Sequence, residues 1–285
     1  MRQEAYFCTV KELDELGKNN IPRQLISHTH LIYSSPATLA FNSPGAEGFG
    51  VKRAGLAVPD SVMLIVSPGC CGRNTSVLSS MRAYQDRFYY LLMDETDIVT
   101  GRHLKKIPKA VAEICEGLKK KPSVVMICIT CVDALLGTDM ERVCHKAEEY
   151  AGVPVRPCYM YALTREGRKP PMVHVRQSVY SLLEPKKKKG NVVNLLGYFS
   201  PLTDDCELYD LLHGAGVKTI HEISRCKDYA QYQTMSEANF NLVLHPEARF
   251  AAEDFHDRLK IPYIELRRLY QIDKIASQYR DRKSV

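Results

Sequence analysis

Short apolar runs alternate with helix-length amphipathic segments along most of the chain. The early runs are continuously apolar, which is typical of strands buried on both faces of a sheet. We predict strands at 61–66, 88–93, 123–129, 153–159, 191–197, 217–223, 240–245 and 261–266. Between them, amphipathic spacing predicts helices at 74–84, 104–119, 139–151, 171–184, 204–215, 247–259 and 267–280. This alternation indicates an α/β fold with parallel sheets and right-handed crossovers.

The strand–helix series is interrupted by a charged segment, Glu184–Gly190, that contains proline and glycine. We therefore predict two Rossmann-like, doubly wound, mainly parallel domains, at 1–187 and 188–285. The alternative is a solvated loop inside one domain. The start of the chain is less regular, and the Gly- and Pro-rich segment 35–60 is expected to form loops over a site or in a subunit contact.

Composition narrows the class of protein. The chain has 285 residues, 45% of them hydrophobic, which is enough for a sizeable core. It has no run of about 18 apolar residues and no N-terminal signal pattern, so we expect a cytoplasmic protein that does not associate with membranes. The net charge of +6 is concentrated at Lys186–Lys189 and in the C-terminal tail, without a basic stripe interleaved with aromatic residues. We therefore expect no nucleic-acid partner.

The chain contains ten cysteines. In a reducing compartment a disulfide framework is not expected, so metal binding, redox chemistry and simple burial are the alternatives for each thiol. Cys115 and Cys144 fall within predicted helices, where burial is the simplest interpretation. No partner pattern is evident for Cys8, Cys158, Cys206 and Cys226.

Three predicted strands end in segments with metal-ligating or acidic side chains. The first continues as Ser67–Arg73 (SPGCCGR), the second as Asp94–Asp97 (DETD) and the third as Cys128–Asp133 (CITCVD). Ligands of open parallel sheets bind beyond the carboxyl ends of the strands, which lie at one edge. Because neighbouring strands are about 4.8 Å apart, we expect the Cys70–Cys71 pair to approach Cys131 closely enough to share a metal cluster.

The surroundings of these cysteines favour metal ligation. Gly69 and Gly72 flank the cysteine pair and allow a sharp turn close to a bulky ligand. Thiolates at helix N-termini are stabilised by the helix dipole, and such soft ligands favour an iron–sulfur cluster or zinc. Cys128 is a further candidate ligand, with burial in its apolar strand and a redox dithiol with Cys131 as competing interpretations. A structural zinc site on all four cysteines is the alternative to a cluster.

Three polar residues near strand ends are candidates for orienting a substrate or delivering a proton. Glu95 and Asp97 follow the second strand, and His245 ends the strand FNLVLH in the second half. A hydrogen-bonded structural histidine is the alternative for His245.

The three strand ends of the first half resemble those of nitrogenase component 1 and its relatives, which include dark-operative protochlorophyllide reductase and nickel-sirohydrochlorin reductive cyclase. Residues 65–71 (IVSPGCC) are similar to the family's HGPxGC turn, and the double cysteine is most similar to the reductive cyclase. Residues 94–101 (DETDIVTG) resemble its E-x-DIVFGG loop, and 131–139 (CVDALLGTD) its C-P-x-x-L-I-G-D-D turn. Order and spacing agree over roughly residues 30–270.

By this resemblance, Cys70 and Cys131 are the expected cluster ligands, and Cys71 is a candidate. The resemblance implies a nitrogenase-like oxidoreductase subunit with a [4Fe-4S] cluster, held by one chain or shared between subunits. An ATP-dependent iron protein would supply electrons for the reduction of a bound substrate, and the second subunit would be another copy or a paralogue. A non-enzymatic scaffold for metallocluster assembly is the alternative, because such proteins share the fold.

The chain also departs from the family's pattern. The family's usual first cysteine, well upstream of the GC turn, has no equivalent in the matching region Phe41–Gly45, which favours a [4Fe-4S] centre or one completed by a partner over a full nitrogenase P-cluster. The second loop reads TGR instead of FGG. His245 stands near the position where nitrogenase presents a cysteine to its catalytic cofactor, so we do not expect a dinitrogen reductase. By this resemblance we expect a short form that lacks the last α/β domain of its relatives.

Overall fold

The computed structural model describes residues 10–17, 20, 50–69, 79–130, 132, 136–160 and 169–266. These residues form two four-stranded sheets in which all paired strands are parallel. The strands are β1 (Val62–Ser67), β2 (Phe88–Leu92), β3 (Val125–Ile129), β4 (Val155–Tyr159), β5 (Val192–Leu196), β6 (Thr219–His221), β7 (Phe240–Val243) and β8 (Tyr263–Glu265). The predicted α/β fold with two Rossmann-like parallel sheets is confirmed, and each predicted strand overlaps an observed one.

The helices in the described part of the chain are α1 (Val10–Leu16), α2 (Gly50–Gly55), α3 (Glu95–Thr100), α4 (His103–Gly117), α5 (Met140–Ala151), α6 (Pro171–Tyr180), α7 (Glu207–Gly214), α8 (Tyr229–Gln233) and α9 (Arg249–Leu259). None of these is both long and apolar enough to cross a membrane. The predicted helix at 267–280 lies outside the described residues, as does most of the one at 74–84. The described end of the latter holds a 3-10 turn, Arg82–Tyr84.

Helix α2 lies in the segment for which loops are predicted, so that part of the prediction is wrong. The helix packs directly on the first sheet, with Val51 and Ala54 buried. A Cβ atom on Gly55 would be 2.7 Å from Met63 Cε and 3.2 Å from Cys158 Sγ. Glycine usually indicates a loop in sequence, but here it permits close contact between a helix and the sheet beneath it.

The observed helices also differ from the predicted ones where a helix is very short, or where a side chain from a distant part of the sequence binds the carbonyls at its end. Helices α3 and α8 have six and five residues, too few to show a helical period. Helix α6 ends at Tyr180 rather than at residue 184. There the Arg258 guanidinium donates to the backbone oxygens of Tyr180, at 3.0 Å, and of Leu183. A cation from far along the chain thus satisfies carbonyls that a longer helix would have paired.

The two sheets have the same strand order. The first unit (β1–β4) has the order β2-β1-β3-β4, and the second unit (β5–β8) has the order β6-β5-β7-β8. In each unit the second strand lies on one side of the first strand, and the third and fourth strands lie on the other side. The crevice at this topological switch point opens between β1 and β3 and between β5 and β7.

One apolar core joins the two units. It extends from Ile65 and Met126 in the first sheet to Val243 in the second. Helix α6 contacts α2 and β4 of the first unit and α9 of the second. At this junction the rings of Tyr180 and Phe255 meet edge to face, with centroids 5.3 Å apart. The segment 183–189, in which the predicted domain boundary falls, connects the sheets without forming a helix or strand.

The shared core leads to a prediction about stability. Phe255→Ala should lower the free energy of unfolding by about 3–5 kcal/mol, because it leaves a cavity where the two units meet. Phe250→Ala, on the exposed side of the same helix α9, should cost less than about 1 kcal/mol. Urea unfolding followed by circular dichroism measures both values. Equal effects of the two substitutions would contradict a buried junction at Phe255.

Candidate functional site

The ends of β1 and β3 lie side by side at the carboxyl edge of the first sheet. Val66 is paired with Ile129 in parallel register. Ser67 and Thr130 directly follow this pair of residues in the sequence, so they stand at neighbouring strand ends. The cysteine segments come next in the sequence after each of them. Cys70, Cys71, Gly72 and Cys131 lie outside the described residues, so their roles at a metal centre stay predictions.

Gly69 is the last described residue before the cysteine pair, and it is exposed. No described atom lies within 4 Å of the position that a Cβ would take there. The backbone N–H of Met93 donates to Ser67 O at 3.0 Å. This bond brings the acidic segment after β2 to the same edge of the sheet.

Two buried hydroxyls at this edge, Ser67 Oγ and Thr130 Oγ1, have no hydrogen-bond partner among the described residues. Ser67 is 0% exposed and Thr130 is 1% exposed. Most buried polar side chains in proteins are hydrogen-bonded, so an unpaired pair at adjoining strand ends needs a physical explanation. Both hydroxyls can donate a proton, which suits the sulfur acceptors of an iron–sulfur cluster. On this observation the site fits such a cluster.

Asp97 is placed at this edge by a capping box on α3. The Asp94 side chain accepts the Asp97 N–H at 2.6 Å, and Asp97 accepts the Asp94 N–H. The Asp97 carboxylate is buried, and it also receives Lys106 Nζ at 2.8 Å and Arg102 Nε at 2.7 Å. These bonds to Lys106 and Arg102 hold the pKa of Asp97 well below its usual range. Asp97 therefore stays ionised, which favours an anchoring role over proton delivery.

Glu95 is the first residue of α3, and it is exposed to solvent. Its carboxylate interacts favourably with the positive end of the helix. The geometry leaves it accessible to a ligand or partner at the strand edge. A catalytic role for Glu95 or Asp97 stays a prediction.

Cys128 is inside β3, where it pairs with Cys158 of β4. Both thiols are fully buried in the core that joins the two units. The Cys128 Sγ lies 3.7 Å from Met160 Sδ, and the Cys158 Sγ donates to Val51 O at 3.4 Å. The hydrogen bond with Cys128 and the burial raise the pKa of Cys158 well above its ordinary value. This environment agrees with the burial interpretation of Cys128, and its role as a metal ligand stays a prediction.

The described residues include no other group of three or more His, Cys, Asp or Glu side chains arranged to hold a metal ion.

The switch point of the second unit is built around Gly197 and His245. Gly197 follows β5 with φ +140, and a Cβ there would lie 2.7 Å from His245 N. The buried Arg176 of α6 donates to Gly197 O through Nη2 at 2.6 Å and to Glu247 Oε2 through Nη1 at 2.8 Å. Its guanidinium also lies over the Phe199 ring. A side chain of the first unit thus fixes both sides of the crevice in the second.

His245 is oriented by this arrangement. Its Nδ1 accepts the backbone N–H of Glu247 at 3.3 Å, and its ring meets the Tyr198 ring edge to face. These two contacts fix the orientation of the ring beside the strand end. The half-exposed ring borders a cleft of about 440 Å³ that Arg249 and Glu265 also line.

A larger cleft of about 640 Å³ opens between the two units. Helix α2 contributes Arg53, and the loop after β5 contributes Tyr198 and Phe199. Tyr84 forms part of the opposite wall, where its hydroxyl accepts Arg53 Nε at 3.2 Å. The walls combine aromatic and aliphatic side chains with polar groups in about equal measure, and most of the charged ones are cationic. Such a cleft suits a ligand with an apolar body and anionic substituents.

The sequence analysis did not single out Arg176, although a signal for it was present. The residue stands among the buried Val173, Val175 and Val179 on α6. A cation at a buried helical position needs hydrogen-bonding partners, which indicates a site or a clamp. Arg53 and Tyr198 carry no comparable signal, because their role depends on the packing of the two units.

These features define a class of protein: a Rossmann-like α/β chain of two similar units, with a cysteine-bearing switch point in one and a histidine-bearing switch point in the other. The sequence matches the family model of nitrogenase component 1 type oxidoreductases over residues 47–281, and the chain belongs to this family. The expected family resemblance is thereby confirmed. Members of this family bind metalloclusters of the iron–sulfur type.

Curated relatives carry a biosynthetic description. The nitrogenase iron-molybdenum cofactor biosynthesis protein NifE of Nostoc sp. (strain PCC 7120) is 27% identical over 73% of this chain and 44% of its own length. The NifE protein of Klebsiella pneumoniae is 26% identical over 78% of this chain and 53% of its own length. The chain thus spans about half the length of these relatives.

Solved structures support the fold. A structure of nitrogenase Cp1 at pH 6.5 superposes with a TM-score of 0.60 at 17% sequence identity, covering 82% of this chain and 57% of that one. A second, at pH 5, gives a TM-score of 0.58 at 19% identity, covering 87% of this chain and 51% of the other. At this level of identity the likeness shows the fold alone.

The Asp97 anchor predicts a specific pH dependence. Because the pKa of Asp97 is lowered on folding, its contribution to stability is present at neutral pH and is lost as the pH falls below about 4. Asp97→Asn should therefore be destabilising at pH 7, and the difference from the wild type should shrink as the pH falls toward 3. Urea unfolding across this range tests this, with the exposed Glu95→Gln as a control that should cost less than about 1 kcal/mol. A constant difference at all pH values would contradict the anchor.

The crevice of the second unit predicts a strict requirement for glycine at position 197. Gly197→Ala should lower the free energy of unfolding by roughly 1–3 kcal/mol, because φ is positive and the added Cβ meets the His245 backbone. Gly214→Ala is the matched control, since no described atom lies within 4 Å of the Cβ position there. That substitution should be neutral or slightly stabilising. Similar costs for both would show that Gly197 is not closely packed against His245.

Proposed function

We propose that this chain is a component-1-type oxidoreductase subunit that holds an iron–sulfur cluster, of the [4Fe-4S] type, at the end of β1 and β3. Cys70 and Cys131 serve as ligands, with Cys71 as a further candidate. The observation that carries the proposal is the pair of unpaired buried hydroxyls on Ser67 and Thr130, which directly precede the cysteine segments. A cluster bound there supplies one-electron redox chemistry. The protein's own part is to provide soft ligands, hydrogen-bond donors and a rigid sheet edge.

The substrate in this proposal binds in the clefts beside the second unit. The cleft between the units offers both apolar and polar wall groups, Arg53 among them, and His245 lines the smaller one. His245 is thus suited to donate a hydrogen bond or a proton to the bound molecule. Glu95 and Asp97 stay near the cluster edge, the first accessible and the second as an anchor.

The proposal includes two kinds of partner. An ATP-dependent iron protein would deliver electrons, and a second subunit, identical or paralogous, would complete the cluster site or cover it. Exposed apolar side chains beside the cluster edge support docking there. Leu92 at the end of β2 is 59% exposed, and Val99 on α3 is 85% exposed. Apolar groups so strongly exposed next to a functional edge are typical of interaction surfaces.

The second candidate function is a non-enzymatic scaffold on which a metallocluster is assembled. The descriptions of the curated relatives favour it, because both NifE proteins are named for cofactor biosynthesis. The same cysteine segments and clefts would then hold a cluster as cargo. The two functions differ in whether the cluster stays bound through turnover.

Cluster content in cysteine variants tests the proposal. Cys131→Ala should lose most of its iron and acid-labile sulfide after anaerobic reconstitution, because a ligand is removed. Cys115→Ala, which changes a half-buried thiol on α4, should keep both. Metal analysis and electron paramagnetic resonance of the reduced proteins provide the measurement. Full cluster content in Cys131→Ala would contradict the assignment.

A second measurement separates the two functions. The loaded protein is mixed with an ATP-dependent iron protein, and ATP-dependent oxidation of that protein is followed. Sustained electron uptake with the cluster retained supports the oxidoreductase. Transfer of iron and sulfide to an acceptor protein without such uptake supports the scaffold.

A further inference from the structure

We propose that Ser67 and Thr130 donate hydrogen bonds to the sulfur atoms of the cluster and thereby set its reduction potential. This inference rests on the proposed function, because it assigns residues to the cluster site. It goes beyond the ligands by naming two side chains that neither the cysteine pattern nor the family motifs single out.

The two hydroxyls face the same side of the sheet. Ile65 and Cys128 are paired across β1 and β3, and both belong to the core that joins the two units. Side chains alternate along a strand, so Ser67 and Thr130, each two residues further on, point to that side as well. The hydroxyls thus form a pair at adjoining positions, and in the sequence they come shortly before the predicted ligands.

Burial makes the missing partners significant. Both residues are more than nine-tenths buried, and neither hydroxyl finds an acceptor among the described residues. Neighbouring polar groups at this edge are satisfied, since Ser67 O accepts Met93 N–H and Ile129 O accepts Met160 N–H. These two backbone acceptors are engaged, whereas the two side-chain donors have no partner among the described residues. Such donors are available to a group bound beyond the strand ends.

The physical consequence concerns charge. Reduction adds one negative charge to an iron–sulfur cluster, and hydrogen bonds to its sulfur atoms stabilise the more negative form. Two donors in a buried site therefore raise the reduction potential. Removing either hydroxyl should shift the potential to a more negative value, and removing both should shift it further.

In the metal-free protein, removal of these hydroxyls should not lower the stability of the fold. There the two hydroxyls are buried without partners, so Ser67→Ala and Thr130→Val remove an unfavourable group and should leave the urea midpoint unchanged or raise it. Ser236→Ala is the matched control. Ser236 is also 0% exposed, but its hydroxyl donates to Gln233 O at 2.8 Å. That substitution should lower the urea midpoint and leave the cluster potential unaltered.

The test is a redox titration of the reconstituted wild type and variants, followed by electron paramagnetic resonance, with iron and sulfide measured in each sample. Ser67→Ala and Thr130→Val should show more negative potentials at full cluster content. Thr130→Ser, which keeps the hydroxyl, should stay close to the wild type. Full cluster content with unchanged potentials would overturn the inference alone, as would be found if bound water satisfied both hydroxyls. Failure of the wild type to bind iron and sulfide would overturn both the proposed function and this inference.

Discussion

The pairing of β1 with β3 is the interaction on which the candidate site depends. Ser67 and Thr130, some sixty residues apart in the chain, reach the same edge only because these strands are neighbours in the sheet, and the predicted cysteine ligands follow each of them in the sequence. The strands stay together because every residue in both is buried. Loss of this register would separate the cysteine segments, whatever their own chemistry. The site is therefore a property of the sheet rather than of the loops that carry the ligands.

The second constraint is the attachment of one unit to the other. Helix α6 belongs to the crossover after β4, yet its residues pack against α9 and reach the crevice between β5 and β7. Arg176 is the clearest case, because it stabilises Gly197 and Glu247 across the junction. The cleft between the units thus has walls that are held in fixed relation, which a binding site for a large ligand needs. The two switch points act as parts of one molecule rather than as separate sites.

Much of the fold could be predicted from the sequence, for identifiable physical reasons. Central strands buried on both faces carry continuous apolar runs, and the longer helices carry an amphipathic period, so both kinds of element are visible in the chain. Helix α2 was missed because its glycines serve close packing, which sequence cannot distinguish from loop formation. The short helix α3 is held by the Asp94–Asp97 capping box and by two cations, Arg102 just before α4 and Lys106 within it. Such features depend on contacts rather than on local pattern.

The residues of the candidate site also fall into those that could be predicted from the sequence and those that could not. Cys70, Cys71 and Cys131 could be placed at one edge by the strand-end rule, and His245 at another. Ser67 and Thr130 could not be recognised, because an unpaired hydroxyl becomes unusual only when its burial is known. The anchoring of Asp97 was equally hidden, since its partners Arg102 and Lys106 are brought to it by the turn into α4.

The most direct test of the account is the content of iron, zinc and acid-labile sulfide per chain in anaerobically purified wild-type protein, together with its electron paramagnetic resonance spectrum before and after reduction. The account predicts roughly two to four irons per chain with matching sulfide, as expected for a cluster held by one chain or shared between two, and a signal that changes on reduction. Zinc without sulfide, in a protein without such a signal, would contradict it and leave a structural metal site in its place.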